Sequence, residues 1–236
     1  MIASGKGGTG KSTVAVLLGA RLAARGHKTL LIELDSGLRS VDIIAGVCGK
    51  TVYDIEDVLC GRCEGAKAVV ESPFYKGLSV ISAPYEGGVV RPDALARLAA
   101  AMDPFFDFLL LDTAAGMGAP FEAAALVCPT ALLVLTPDPV ALRDGRIVAD
   151  RLLGQGQKSL RLVVNRVSPK SFGASVRDLD ECIDTVAVQL GAVFPESPAL
   201  AGGAGGQAIP ADDAALAAAD NLARRLLGQR VPLLVR

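Results

Sequence analysis

A glycine-rich segment near the start of the chain constrains the fold more than any other feature. Gly5, Gly10, Lys11 and Ser12 fit the pattern G-x-x-x-x-G-K-[ST], in which a loop after a strand cradles phosphate groups and a helix follows. An apolar stub precedes the loop, and an aliphatic helical pattern begins at Ser12 or Thr13. The backbone N–H groups of the loop and the helix N-terminus can therefore converge on an anion.

The residue types of this loop suit phosphate binding. Glycine is required because the main chain must approach phosphate oxygens closely and pass through conformations that a Cβ atom would block. Lys11 would reach the β- and γ-phosphates, and the Ser12 hydroxyl would coordinate Mg²⁺. The residues expected to contact the nucleotide here are Gly7, Gly8, Thr9, Gly10, Lys11, Ser12 and Thr13.

Short aliphatic runs alternate with longer segments of helical period, which predicts an α/β fold with a mostly parallel sheet and helices on both faces. Strands are predicted over 29–34, 78–82, 108–111, 131–136, 160–164 and 190–193. Helices are predicted over 13–25, 41–45, 55–59, 93–101, 120–127, 140–153, 179–186 and between 210 and 228. Residues 199–207 are interpreted as a loop within a single domain, residues 1–236. Residues 1–4 allow only a short first strand, so either the strand is clipped or the start codon lies upstream.

The amino-acid composition excludes a disordered chain and argues against nucleic-acid binding and export. Apolar residues make up 51% of the chain and charged residues 21%, which excludes a disordered chain. The 24 basic and 25 acidic side chains nearly cancel, so no overall field attracts nucleic acid or anionic lipid and nucleic-acid binding is not favoured. Five cysteines and the lack of an export signal predict a reduced, cytoplasmic protein.

The loop carries an additional lysine, Lys6, in the run Lys6-Gly7-Gly8-Thr9-Gly10-Lys11-Ser12-Thr13. In this respect the chain resembles the deviant Walker A ATPases of the MinD/ParA superfamily. The resemblance implies bound ATP and Mg²⁺ and a P-loop fold. It also implies an ATP-dependent homodimer in which Lys6 reaches the phosphates of the partner subunit, where it would neutralise charge during phosphoryl transfer.

Two acidic positions complete the expected site. Asp112 ends the apolar run 108–111, which places a carboxylate at the sheet edge where open α/β folds bind ligands, and it suits a Walker B aspartate that holds Mg²⁺ through water. Residues 113–116 would form a turn able to sense the γ-phosphate. By resemblance Asp35 orients the attacking water, Glu33 replaces the usual Asp with no role assigned, and Asp42 is interpreted as a helix-terminus charge.

The resemblance to MinD extends over nearly the whole chain, including residues 51–59, 140–147 and 223–233. It implies that Asn165 and Arg166 read the adenine and that Pro195, with Glu196, closes over the base; an Asn amide can donate to and accept from adenine at once. Ala114 departs from the proline that MinD proteins usually carry. The basic amphipathic helix with which MinD proteins end is not found by residue 236, so we expect no strong membrane anchor and packing of residues 231–235 on the body.

The cysteines leave an alternative open. Cys60 and Cys63 have the C-x-x-C spacing of metal chelators and redox pairs, yet one such pair supplies two ligands where zinc takes four. We therefore interpret them as structural or incidental. Cys48, Cys128 and Cys182 are expected to be buried or half-buried, and His27 is expected to be an exposed loop residue.

The phosphate loop, together with the resemblance to the MinD/ParA superfamily, thus implies a Mg-dependent ATPase of the MinD type. It is expected to hydrolyse ATP slowly, to respond to an activating or scaffold protein, and to take part in spatial regulation of cell division from the cytoplasm, reaching a membrane only through a partner. A ParA-like or flagellar-number-regulator ATPase, a metal-cofactor carrier using Cys60 and Cys63, and a module that holds ATP without turnover remain alternatives.

Overall fold

A computed structural model describes residues 1–37, 39–87, 90–157, 159–173, 175–201 and 207–233. Leu38, residues 202–206 of the predicted loop and residues 234–236 lie outside this part of the chain. The strands are β1 (Ile2–Ala3), β2 (Thr29–Glu33), β3 (Val70–Glu71), β4 (Leu78–Ile81), β5 (Phe108–Asp112), β6 (Thr130–Leu135), β7 (Ser159–Val167) and β8 (Leu190–Pro195).

The helices are interspersed with the strands, as predicted. They are α1 (Lys11–Ala24), α2 (Ser40–Ile44), α3 (Ile55–Leu59), α4 (Gly65–Ala68), α5 (Pro92–Met102), α6 (Ala119–Val127), α7 (Pro139–Gly154), α8 (Leu179–Val186), α9 (Pro198–Ala201) and α10 (Ala214–Leu226). Aspartate side chains cap the N-termini of four helices. Asp54 forms a capping box at α3, and Asp138, Asp178 and Asp213 accept backbone N–H groups at α7, α8 and α10.

In the described part of the chain, the eight strands form one sheet of order β3-β4-β2-β5-β1-β6-β7-β8. Every pairing is parallel except that of β3 with β4, which is antiparallel. The predicted α/β class with a mostly parallel sheet is confirmed. The short first strand is also as expected, since β1 has two residues and the N-terminal ammonium of Met1 donates to the Thr130 carbonyl at 2.7 Å.

Alternation along the strands divides the core into two apolar layers, one on each face of the sheet. In β6, Ala131, Leu133 and Leu135 belong to one layer, and Leu132 and Val134 belong to the other. Helices α5, α6, α7 and α8 cover the first layer, whereas α1 and α10 cover the second. Among the described residues, none of the helices combines the length and apolar character needed to cross a membrane.

Several local expectations need correction. The antiparallel strand β3 and helix α4 were not predicted, because two- and four-residue elements carry too little periodicity to detect. Part of the predicted loop 199–207 is helical, since α9 extends to Ala201. His27 is half-buried and its ring meets Phe108 edge to face at 5.5 Å, whereas Cys48 is exposed and not buried.

Candidate nucleotide-binding site

The glycine-rich loop occupies the crevice that this strand order creates. β1 lies between β5 and β6, with Ile2 paired to Asp112 on one side and Leu132 on the other. The connection from β1 leads to β2 on one side, whereas the connection from β5 leads past β1 to β6 on the other side. Ligands of open α/β sheets bind at a point where the strand order reverses in this way. A cleft of about 370 Å³ opens there, lined by Ser4, Lys6, Gly7, Gly8, Thr9, Gly10, Lys11, Ser12, Thr13, Asp35, Arg39, Ser40, Ile44, Ala115 and Arg166.

Glycine is required in this loop on geometric grounds. Gly8 and Gly10 have φ values of 78° and 85°, which residues with a Cβ atom rarely adopt. A Cβ on Gly10 would also lie 2.2 Å from Nδ2 of Asn165. The loop can therefore follow this path only with glycine at these positions.

Lys11 lies at the head of α1 and is nearly enclosed, with 6% of its side chain exposed. Its Nζ donates to Oδ1 of Asp112 at 3.0 Å and lies 3.7 Å from Oδ2 of Asp35. The three residues come from three separate segments, so the structure brings together the lysine and both carboxylates that the sequence singled out. A cation held at the N-terminus of a helix beside glycine-loop amides is suited to polyphosphate.

Asp112 is fully buried at the end of β5. Burial raises the pKa of its carboxyl, and the Lys11 ammonium opposes that shift. Oδ2 of Asp112 is buried without a hydrogen-bond partner among the described residues, whereas buried polar atoms are normally paired. A water molecule bound to Mg²⁺ would supply the missing donor, so Asp112 with the nearby Ser12 hydroxyl fits the expected magnesium site.

Lys6 differs from Lys11 in exposure and in partner. It lies at the rim of the cleft with 44% of its side chain exposed, and its Nζ is 3.5 Å from Oδ1 of Asp138. Asp138 also accepts the N–H of Ala141 at 2.9 Å and the hydroxyl of Thr136 at 2.6 Å. The carboxylate is therefore fixed at the start of α7, whereas within the described residues the Lys6 side chain has only this one polar contact.

The segment after β2 forms the wall of the cleft opposite the loop. Arg39 adopts φ 45°, is buried, and lies with its guanidinium 4.1 Å from the centre of the Tyr85 ring. It donates to the Thr51 hydroxyl at 2.9 Å and its Nε lies 3.0 Å from Oδ2 of Asp42. Asp42 is thus in the first turn of α2 as predicted, but it is a buried partner of Arg39 and not only a helix-terminus charge.

Glu33 has a clear place although the sequence assigned it no role. It is fully buried and accepts the N–H groups of Val41 at 2.9 Å and Ala83 at 3.3 Å. Burial raises the pKa of this carboxyl to about 7, opposed by the two N–H donors and assisted by the charges of Asp112 and Asp42. The side chain therefore connects the end of β2 to two neighbouring segments.

The turn after Asp112 is held against β1. The Thr113 hydroxyl donates to the Ile2 carbonyl at 3.1 Å, and the N–H of Gly116 donates to the Ser4 carbonyl at 2.9 Å. Ala115 lines the cleft between these anchors. The turn thus borders the cleft, as the prediction of a γ-phosphate sensor requires, while its response to a nucleotide stays a prediction.

The residues expected at the adenine lie in two places. Asn165 is buried and its Nδ2 donates to the Thr9 carbonyl at 2.8 Å, so it contacts the phosphate loop. Arg166 lines the same cleft. Pro195 instead lines a separate cavity of about 400 Å³ beside α10, together with Arg225. The adenine roles of these residues stay predictions.

The cysteines do not assemble into a metal centre within the part of the chain that the structure describes, which contains no group of three or more His, Cys, Asp or Glu side chains suited to a metal ion. Cys60 is exposed and Cys63 is half-buried, and burial raises the pKa of the Cys63 thiol. Cys182 is buried and Cys128 half-buried, as expected. Burial raises the pKa of the Cys182 thiol to about 11.

Comparison with known proteins agrees with the geometry. Residues 1–204 match the family described as CbiA, the CobQ/CobB/MinD/ParA nucleotide binding domain. The chain belongs to this family. It is similar to the septum site-determining protein MinD of Bacillus subtilis, with 31% identity covering 100% of this chain and 91% of that protein.

Solved structures give the same result. The chain is similar to the MinC:MinD cell division protein complex of Aquifex aeolicus, with a TM-score of 0.89 and 30% identity covering 99% of this chain and 97% of that one. It is also similar to MinD complexed with Mg-ADP from Pyrococcus horikoshii, with a TM-score of 0.80 and 26% identity covering 95% and 93%. The predicted membership, P-loop fold and kinship with MinD-type cell-division ATPases are confirmed, and the ParA-like and metal-carrier alternatives are not favoured.

Sequence reasoning missed several residues that shape the site. Arg39, Ser40 and Ile44 line the cleft, and Asp138 holds Lys6. An arginine residue gives no sequence signal of the αL conformation that Arg39 adopts. Asp138 lies 132 positions from Lys6, so the contact between them could not be predicted from neighbouring residues. Only Asp138 carried a local signal, because an Asp followed by Pro139 marks a helix start.

Proposed function

We propose that the chain is a Mg-dependent ATPase that dimerises with ATP between its subunits and acts in spatial regulation of cell division. The observation that carries this proposal is the buried Lys11, held between Asp112 and Asp35 at the head of a glycine-rich loop. This is the constellation that phosphoryl transfer needs, because positioning and charge neutralisation supply most of its catalysis.

Each residue of the cleft has a role in this proposal. The loop amides and Lys11 hold the phosphates, Ser12 and Asp112 hold Mg²⁺, and Asp35 aligns the attacking water. Mg²⁺ would neutralise charge on the β- and γ-phosphates. The exposed position of Asp35, with 45% of its side chain accessible, supports a role toward water and not in the core.

The additional lysine would serve the second subunit. Lys6 is half-exposed at the rim, whereas Lys11 is enclosed, so Lys6 is free to reach across an interface and Lys11 is not. ATP then favours the dimer because only the dimer presents Lys6 to the γ-phosphate, and a ligand shifts an equilibrium only through such a difference in contacts.

A partner protein completes the proposal. MinD of Aquifex aeolicus is known in complex with MinC, and the match covers nearly the whole of this chain. We expect a protein partner of that kind to stimulate a slow intrinsic hydrolysis in the cytoplasm. Asn165, Arg166 and Pro195 are the proposed adenine contacts.

Four variants test the proposal by sedimentation and by hydrolysis of ATP in Mg²⁺. Lys11→Ala should lose nucleotide binding. Lys6→Ala should bind nucleotide but remain monomeric with ATP, and Asp35→Ala should accumulate as the ATP-bound dimer. Lys76→Ala, an exposed lysine before β4 at the opposite edge of the sheet, is the matched control and should behave as the wild type.

The outcomes separate the open alternatives. A Lys6→Ala protein that dimerises as well as the wild type would refute the role of that lysine. Undiminished hydrolysis by Asp35→Ala would refute its role toward water. A wild-type chain that binds ATP without any turnover, with or without a stimulating partner, would leave only the module that holds ATP.

A further inference from the structure

Glu33 is a buried carboxylate that the proposed mechanism leaves without a task. None of its surface is exposed. Oε1 accepts the N–H of Val41 at 2.9 Å and Oε2 accepts the N–H of Ala83 at 3.3 Å. Val41 lies in the first turn of α2, and Ala83 follows β4, so one side chain ties the end of β2 to two other parts of the fold.

These two parts enclose the segment that carries Asp35, which leaves β2 after Glu33 and enters α2 at Ser40. The N–H of Leu34 donates to the Asp112 carbonyl at 2.8 Å, and the N–H of Gly37 donates to the Pro84 carbonyl at 3.2 Å. The segment therefore contacts the end of β5 and the residues that follow β4. Glu33 accepts one N–H group from the start of α2, where the segment ends, and one from the residues that follow β4.

We propose that Glu33 is a positioning residue for ATP hydrolysis. Its carboxylate accepts the N–H groups of Val41 and Ala83. These two contacts fix the segment that joins β2 to α2 and so hold Asp35, which lies in that segment, beside Lys11. This inference rests on the proposed function, in which Asp35 orients the attacking water. Misplacing a catalytic group by about 1 Å can lower a rate by about 100-fold, so a residue outside the cleft can set the rate.

The chemistry of the side chain explains why a carboxylate of this length is needed. Two N–H donors require two acceptor oxygens, which a carboxylate has and a carboxamide lacks. In Glu33→Gln one of the two N–H groups would face an NH₂ group and lose its partner. In Glu33→Asp the carboxylate stays but is one methylene shorter, so it cannot span both donors from the same backbone position.

The experiment compares single-turnover hydrolysis of Mg-ATP with equilibrium binding of Mg-ADP in the chain of residues 1–236. For Glu33→Gln we expect hydrolysis to be slower by about tenfold or more, while the affinity for Mg-ADP changes by less than about twofold. Hydrogen exchange should become faster at the Val41 and Ala83 amides. Glu33→Asp should show the same separation to a smaller degree.

The controls distinguish this inference from the function on which it rests. Glu86→Gln removes an exposed carboxylate from the same stretch after β4 and should leave both measurements unchanged. Asp35→Ala is measured in parallel. If it stops hydrolysis while Glu33→Gln hydrolyses within about twofold of the wild type, the role of Glu33 is refuted and the proposed function stands.

A purely structural role would give a different result. In that case Glu33→Gln would lose Mg-ADP affinity and hydrolysis to the same extent, which would overturn the inference. If Glu33→Gln does not fold, Glu33→Asp decides the question, because it keeps the carboxyl group that accepts N–H groups while one of the two N–H contacts is lost. Hydrolysis by Glu33→Asp at the wild-type rate would then overturn it.

Discussion

The buried carboxyl of Glu33 predicts how the stability of the nucleotide-free protein depends on pH. Burial raises its pKa from 4.5 to about 7 in the folded chain. In the unfolded chain the group is in water and keeps its ordinary pKa. Between these two values the folded protein retains a proton that the unfolded protein has released, so unfolding releases a proton and the free energy of unfolding falls as pH rises.

The size of the effect follows from the shift. The difference between a pKa of 4.5 and one of about 7 corresponds to about 3 kcal/mol. The contribution of neutral Glu33 is fully present below pH 4.5 and fully lost above about pH 7. Between pH 5 and pH 8 the expected change is about 2 to 3 kcal/mol, since about 1 kcal/mol has already been lost at pH 5.

Glu33→Gln isolates this contribution because glutamine does not titrate. The assay is urea unfolding of the nucleotide-free protein followed by circular dichroism at a series of pH values. The free energy of unfolding of the wild type minus that of Glu33→Gln should decrease by about 2 to 3 kcal/mol from pH 5 to pH 8. The difference between the wild type and Glu86→Gln should stay level, because Glu86 is exposed.

A difference that is constant with pH would refute the reasoning, since it would mean that the folded and unfolded chains bind this proton equally. A difference that increases with pH would mean that the two N–H donors outweigh burial and hold the carboxylate charged. Either result would remove the physical basis for the raised pKa of Glu33.

Three further predictions concern the cleft and the sheet. Gly10→Ala should abolish nucleotide binding in a fluorescence titration, because its Cβ would lie 2.2 Å from Asn165 and its φ is 85°; retained affinity would show that the loop can shift. Asp138→Asn keeps an acceptor for the Ala141 N–H but removes the charge 3.5 Å from Lys6, so the ATP-dependent dimer should tighten by up to about fivefold per subunit in sedimentation, the upper range for an exposed ion pair, and a weaker dimer would contradict this. Short valine extensions before Met1 should enter the cavity of about 240 Å³ beside β1, lined in part by Phe108, Leu110 and Leu132, and raise the free energy of unfolding by about 1–3 kcal/mol per buried side chain; no change would show that the cavity does not accept a strand.

The sequence predicted the framework of the fold because the dominant signals are local. Each of the six strands predicted in the body of the chain is a run of aliphatic residues, and the observed bounds agree within a few positions. The loop pattern placed Lys11 at the head of α1, where the structure has it. These features depend on periodicity and on the conformational freedom of glycine, which neighbours along the chain determine.

Features that depend on contacts between distant segments could not be predicted in the same way. Nothing near Lys6 indicates Asp138, and nothing near Glu33 indicates the N–H of Ala83, 50 positions away. Cys48 was expected to be buried or half-buried because cysteine is usually buried, yet it is exposed in a turn after α2. The one local hint at Glu33 was its length, one methylene more than the Asp that the resemblance implies, and the structure shows that this length spans two donors.

Both lysines of the phosphate loop, Lys6 and Lys11, are paired with carboxylates, and these pairs connect the proposed nucleotide binding to the proposed hydrolysis. In the structure each has a carboxylate as its partner: Lys11 lies between Asp112 and Asp35, and Lys6 lies beside Asp138. In the proposed function a polyphosphate would replace these carboxylates as the partner of the lysines, so its affinity would be the difference between two sets of charge pairs and not the sum of the new ones. The same exchange releases Asp35 from Lys11. In the proposed function the nucleotide itself would thus free the carboxylate that orients water from its contact with Lys11.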